Sequence, residues 1–231
     1  MNKLTTYKPE DILVATIDTQ CCFMPASEGN RLKLQGFGEL PVDDAQEIIP
    51  VLNRLDRWAA AKGILRVATM DWHPAVTAHF GIGPGQWALH AVAGSPGAKL
   101  HPRLRIVNDA SVLRFKKGVE PIEDPSQDDS YSGFNAKNKY GQSLGEYAKQ
   151  NNKKQIILGG VALGGEELNT CVDSTAIDFR AAGYEVVVLE DATKAIKPDE
   201  IDGIRYKLVS RGIEMITLDT LIARMNMEQR G

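Results

Sequence analysis

Two sets of residues in this chain have the types and spacing for chemistry. The first begins at Asp71-Trp72-His73-Pro74, which follows the apolar run Ile64 to Met70, and continues to His90. Side chains alternate along a strand with period two, so Asp71 and His73 are expected to present a carboxylate and an imidazole on the same side. Two imidazoles and one carboxylate make a metal shell with positions left open for water or ligand. The chain has only four histidines, and two fall inside this pattern. The remaining two, His79 and His101, are expected to be surface or loop residues. The second set is Asp18, Lys117 and Cys171, a carboxylic acid, an amine and a thiol. Each is expected near the end of an apolar segment or the start of a helix.

Six β-branched, apolar runs are expected to position these groups: Ile12 to Ile17, Leu65 to Thr69, Val112 to Phe115, Gln155 to Val161, Glu185 to Leu189, and Glu214 to Leu218. Helical patterns lie between them. Ile48, Ile49, Leu52, Leu55, Trp58 and Ala59 follow the i, i+3, i+4, i+7 rule, with Pro50 near the first turn. A second helix is expected from about Glu166 to Ala182, capped by Gly183. Others are expected over Gly141 to Gln150, Pro198 to Arg211 and Asp219 to Met227. Strands alternating with helices predict an α/β fold: a single domain over 1–231, with a doubly wound, mainly parallel six-stranded sheet and helices on both faces. Two long segments, Met24 to Asp43 and Glu120 to Lys139, are expected as loops, and loops of that length are usually functional.

In open sheets of this kind, ligands bind beyond the carboxyl ends of the strands. That rule gathers Asp18, Asp71, Lys117 and the segment after Val161 at one edge. Taken singly, Asp18 is an ordinary cap, Lys117 a solvated charge and Cys171 a small core side chain. Together they form a nucleophile with an acid and a cation beside it. A thiol near a helix N-terminus and next to an ammonium group is expected to have a depressed pKa. Asp18 is then placed for general acid–base work.

These residues resemble the isochorismatase-like cysteine hydrolases, and within them the nicotinamidases, from roughly Asp11 to Leu221. Asp18-Thr19-Gln20 with Phe23 is similar to the family's Asp-x-Gln-x-x-Phe. Asp71-Trp72-His73-Pro74, then Trp87, His90, Gly94 and Gly97-Ala98, resembles the nicotinamidase metal segment. Lys117-Gly118 and Asp129-Ser130-Tyr131-Ser132-Gly133-Phe134 match two further motifs, and Gly160-Val161-Ala162 with Cys171-Val172 resembles the nucleophile segment. The resemblance implies that Cys171 attacks a carboxamide carbon to give a thioester, with Asp18 as proton shuttle and Lys117 stabilising the anions. It implies an oxyanion hole from the N–H groups of Ala162 and Cys171, with a cis peptide at Val161–Ala162. It also implies aromatic substrate walls from Phe23 and Trp87, and substrate contact at Tyr131. Asp71, His73 and His90 would hold one divalent ion, zinc ahead of iron or manganese, which orients the pyridine more than it attacks it. The implied reaction converts nicotinamide to nicotinate and ammonia in NAD salvage. Two alternatives are hydrolysis of another small amide or carbamoyl compound, and a non-catalytic member that binds a ligand or partner.

The chain departs from the family pattern mainly after Ala162. Eight residues, Leu163 to Thr170, separate it from Cys171, a longer link than the family usually has. The additional Gly164-Gly165-Glu166-Glu167 either loops out or displaces the cysteine from the oxyanion donors. Glu166 and Glu167 would oppose thiol ionisation unless they point to solvent. Smaller departures are Thr77, Ala88 and Ala91 at positions where His, Pro and Cys are frequent. Cys21 and Cys22 also stand where Asn and Asp are usual, which makes Cys21 an alternative thiol near Asp18.

Composition narrows the partners. The net charge is -3 with 27 basic against 30 acidic residues, which argues against a nucleic-acid binder. No apolar run approaches a membrane span and the N-terminus lacks a signal-peptide core, so no membrane association is expected. Three cysteines, two adjacent, do not form a disulfide framework. A reducing, cytoplasmic location is expected, with a small-molecule amide as partner and, by family resemblance, a homo-oligomeric state.

Overall fold

The computed structural model describes residues 7–83 and 86–228. In chain order its regular elements are β1 (Ile12–Ile17), α1 (Ala26–Leu32), α2 (Ile49–Ala61), β2 (Leu65–Asp71), β3 (Leu113–Lys117), α3 (Leu144–Gln150), β4 (Gln155–Leu163), α4 (Cys171–Ala181), β5 (Glu185–Ala195), α5 (Ile201–Val209), β6 (Glu214–Ile216) and α6 (Leu218–Glu228). The six strands form one sheet in the order β3-β2-β1-β4-β5-β6, and every pairing is parallel.

Parallel strands need crossovers, and here the crossovers cover both faces. Alternation along β1 shows how. Ile12 and Val14 face a core shared with Leu52, Leu55 and Ala59 of α2 and with Leu218, Leu221 and Met225 of α6. Leu13, Ala15 and Ile17 face the opposite core, built with Leu144 and Ala148 of α3, Val172 and Phe179 of α4, and Ile204 and Leu208 of α5. The central strands β1 and β4 are therefore buried on both sides, which is why they read as nearly unbroken apolar runs. Among the described residues no helix is long and apolar enough to cross a membrane.

Most boundaries move by a few residues from the sequence expectation, and three differences are larger. The segment Met24 to Asp43 is not all loop, because it contains α1. Helix α4 begins at Cys171 rather than Glu166, since the chain first makes a separate turn through Gly164 and Gly165. Strand β5 runs on to Ala195, with a register shift against β4 between Leu158 and Gly160. The strand order reverses direction between β1 and β4, so the crevice of this sheet opens where those two strands end. Their close approach needs Gly160: at φ +133°, a Cβ there would lie 2.0 Å from the Ile17 carbonyl oxygen.

Candidate active site

The ends of four strands converge on one cluster. Asp18 follows β1, Asp71 ends β2, Lys117 ends β3, and Cys171 opens the helix after β4. Asp71 and Lys117 are register partners across adjacent strands. The Lys117 ammonium lies 3.1 Å from Asp18 Oδ2 and 3.4 Å from Cys171 Sγ, and it also contacts Asp71 Oδ1. The carboxylates and the ammonium are buried, with Asp18 0% and Lys117 5% exposed, whereas Cys171 is half-buried.

Supporting residues fix each group. Asp18 is held with φ +37°, a conformation a non-glycine residue adopts only where its surroundings impose it. Thr69 imposes it from both sides: its hydroxyl donates to Asp18 Oδ1 at 2.7 Å and accepts the Asp18 N–H at 3.2 Å. Gln20 clamps the backbone of Asp71, accepting its N–H at 2.7 Å and donating to its carbonyl at 2.8 Å. Cys171 lies at the first position of α4, whose Thr170–Asp173 capping box is complete. The Thr170 hydroxyl donates to the Ala162 carbonyl at 2.7 Å, and the Val161–Ala162 peptide is cis.

Electrostatics here run against the sequence expectation for the thiol. Burial pushes the Cys171 thiol well above its ordinary value; Lys117 pulls it down, while Asp71 and Asp18 push it further up. A depressed thiol pKa is therefore not found: burial is the largest influence, and the two carboxylates beside Lys117 add to it. Burial also raises the Asp18 carboxyl, against the pull of Lys117. Burial opposes the Lys117 charge, but Asp18 and Asp71 together hold the ammonium well above its usual range.

Next to this cluster stand three imidazoles. A ring nitrogen from each of His73, His79 and His90 lies within 4.8 Å of the others, and Asp71 Oδ2 is 3.8 Å from Nε2 of both His73 and His90. His79 is thus a correction: it is 4% exposed and belongs to the cluster, not to the surface. His101 is also buried, beside Glu28 and Phe37, away from this site. His90 Nδ1 donates to the Ala88 carbonyl at 2.7 Å, and His79 Nδ1 faces Asp128, which turns Nε2 of both rings inward. Nε2 of His73 and of His79 are buried and make no hydrogen bond. Burial pulls His90 down to about 4, which favours its neutral form, the form able to bind a metal. Gly118 makes room for His73: at φ +62°, a Cβ there would lie 2.4 Å from the imidazole.

The pocket in front is lined by Phe23, Leu40, Val42, Trp87, Tyr131 and Ile196, and its floor carries Cys171, Lys117, Asp71, His79, His90 and Ala162. Trp87 Nε1 donates to the Tyr131 hydroxyl at 2.8 Å, bracing one wall, and the Phe23 ring packs 5.4 Å from His90. So the structure gathers Phe23, Trp87, Tyr131, Ala162, Cys171, Lys117, Asp71 and His90 in one place. Asp18 lies behind Lys117, and His73 lines an adjoining groove. Sequence reasoning missed His79, Asp128, Thr69 and the apolar wall of Leu40 and Val42. Only His79 left a signal, a third imidazole six residues after His73 in a chain poor in histidine.

Known proteins similar to this chain identify its family. Residues 12–220 match the isochorismatase domain family. The nicotinamidase of Escherichia coli (strain K12) is 30% identical over 199 residues, covering 78% of this chain and 88% of that one. Among solved structures, the pyrazinamidase of Pyrococcus horikoshii in complex with zinc is 32% identical, with a TM-score of 0.72 over 90% of this chain and 99% of that one. PnC1 of L. infantum, in complex with nicotinate, is 27% identical with a TM-score of 0.70 over 92% and 96%. The chain belongs to the isochorismatase family and is a nicotinamidase-like hydrolase.

Proposed function

We propose that this protein is a metal-dependent cysteine amidohydrolase that converts nicotinamide to nicotinate and ammonia. The observation that carries this is Lys117, whose ammonium group links Asp18, Asp71 and Cys171 Sγ beside three buried imidazoles. The relatives support the substrate class, since one is a nicotinamidase and another holds nicotinate.

The metal fits the residues present. Two buried ring nitrogens that make no hydrogen bond, a His90 held toward its neutral form and a carboxylate whose charge Lys117 maintains form a donor set suited to a divalent cation. Asp71, His73, His79 and His90 would hold it, with zinc the leading candidate. Once bound, such an ion supplies a Lewis-acid attachment point for the pyridine nitrogen.

The chain's own groups then account for the chemistry. The thiol is protonated at rest, so Asp18 must take its proton as sulfur attacks the carboxamide carbon. The raised Asp18 carboxyl suits this role, because a base nearer the working pH both accepts and returns a proton. The C–S bond forms while the carbonyl π electrons move to oxygen, facing the N–H groups of Ala162 and Cys171. Asp18 returns the proton to nitrogen, the C–N bond breaks, and ammonia leaves a thioester. Water adds to the thioester and gives one proton to Asp18; the C–S bond breaks, Asp18 returns that proton to the thiol, and the product leaves as nicotinate once its carboxyl proton is lost to solvent. Lys117 stays cationic throughout and balances the carboxylates. Losing one oxyanion donor in such a site costs ~2.7–4 kcal/mol.

The test is ammonia release from nicotinamide by the purified, zinc-loaded protein. Release with equimolar nicotinate is expected, with a fall of at least roughly a thousandfold in Cys171→Ala. A Cys171→Ala variant as active as wild type refutes the cysteine mechanism. Turnover of a carbamoyl compound but not of nicotinamide moves the substrate to the alternative class.

A further inference from the structure

The long link between Ala162 and Cys171 is folded, and one residue outside the active site holds it. Lys207, on α5, is 8% exposed, and its ammonium group meets four oxygens. These are the Gly165 carbonyl at 2.6 Å, the Leu168 carbonyl at 3.1 Å, Asn169 Oδ1 at 3.0 Å and Asp173 Oδ2 at 2.7 Å. The first three belong to the link itself, and the fourth belongs to the capping residue of the nucleophile helix. The other oxygen of Asp173 accepts the Thr170 N–H at 2.7 Å, and Thr170 in turn binds the Ala162 carbonyl. Glu166 and Glu167 are exposed, so their charges face solvent, and the Glu166 N–H is tied outward to Glu200 at 2.8 Å. The link therefore loops out and leaves the first turn of α4 seated against Ala162.

Lysine is rarely this buried unless its charge and all three N–H bonds are satisfied, and here both conditions are met by groups that must stay in register. Eight residues containing a Gly-Gly pair would otherwise be free to sample many paths between β4 and α4. We infer that Lys207 is a positioning residue for the hydrolase: by binding the link and Asp173 together, it sets Cys171 against the Ala162 oxyanion donor. No other residue ties both the link and the helix cap to the body of the fold among the described contacts. The kinetic arm of the test rests on the amidase reading above; the structural arm does not.

The test compares zinc-loaded wild type, Lys207→Met, and Lys207→Met/Asp173→Asn, which removes the buried charge pair while keeping an acceptor for Thr170. In both variants kcat for nicotinamide is expected to fall roughly 10- to 100-fold, since a displacement of about 1 Å at a reacting atom costs that much. KM is expected to stay within about threefold, because the pocket walls are untouched. Backbone hydrogen exchange over residues 164–174 should accelerate while that of β1 stays unchanged. A purely structural role predicts instead that the double variant, relieved of its buried charge, recovers wild-type kcat and exchange; that result overturns the inference. If neither variant folds, Asn169→Ala, which removes one exposed acceptor, decides. It should lower kcat roughly two- to fivefold and speed exchange, and wild-type values for both overturn the inference. A wild-type protein that releases no ammonia from nicotinamide refutes the substrate reading, and the exchange comparison still decides the role of Lys207.

Discussion

Replacing Lys117 with methionine keeps the stem and removes the one charge that three site residues share. At 3.1 Å from Asp18 Oδ2, a full charge pair is worth ~5 kcal/mol at an effective dielectric of about 20. The Asp71 contact adds a second attraction of that kind, and the lost cost of burying the ammonium offsets part of both. Breaking a buried ion network from one side typically costs about 3–5 kcal/mol, because the carboxylates left behind face each other without a counter-charge. Urea unfolding of Lys117→Met should show a loss in that range. Catalysis should suffer separately, by roughly a hundred- to a thousandfold in kcat, as the site loses a preorganised charge beside the developing anions. Both quantities come from one preparation, by denaturant titration followed by fluorescence and by coupled ammonia release. A variant within about 1 kcal/mol of wild type in stability, with kcat reduced less than tenfold, would show that Lys117 is not the electrostatic centre of the site.

Asp128→Asn should weaken zinc binding about 10- to 100-fold, since it removes the carboxylate that orients His79; competition with a chromogenic chelator measures this, and an unchanged affinity removes His79 from the ligand set. Trp87→Phe deletes the hydrogen bond to Tyr131 and should raise KM about fivefold with kcat little changed; steady-state kinetics on nicotinamide reads it, and an unmoved KM means the wall stands without that bond. Burial lowers His101, with Glu28 opposing, so its neutral form contributes stability that is complete above about 6.5 and is lost as pH falls from there toward its lower folded value. The stability advantage of wild type over His101→Gln should therefore shrink on acidification from pH 7.5 to 5; an advantage that grows contradicts the assignment.

The sheet is legible because its central strands are buried on both faces and read as plain apolar runs between helical periods. Asp18, Asp71, Lys117 and Cys171 could be grouped from sequence because each lies where one of those runs ends or the following helix begins. The histidines show the limit. His79 lies in a segment with no periodicity, and only packing against His73 and pairing with Asp128, 49 residues away, brings it inside. His101 is enclosed by Glu28 and Phe37 from a segment expected to be loop, where α1 forms instead. The start of α4 was misplaced for a related reason: the contacts that fold 164–170 away from the helix come from Lys207, far along the chain. The thiol differs from expectation because a neighbouring cation is visible in sequence, whereas the burial that raises the thiol and the two carboxylates beside that cation depend on packing.

A single ammonium bridging Asp18 and Asp71 has an evolutionary consequence. The carboxylate proposed to move protons and the one proposed to bind metal draw on the same counter-ion, so neither can be altered without changing the other's charge balance. Deleting the histidines alone would leave Asp71 with Lys117 as its one close cation, still shared with Asp18. A lineage that abandoned the ion would have to exchange Asp71 for a neutral residue as well. On the proposed mechanism, metal binding and proton transfer are thus coupled through one cation, and a substitution at either carboxylate is expected to act on both.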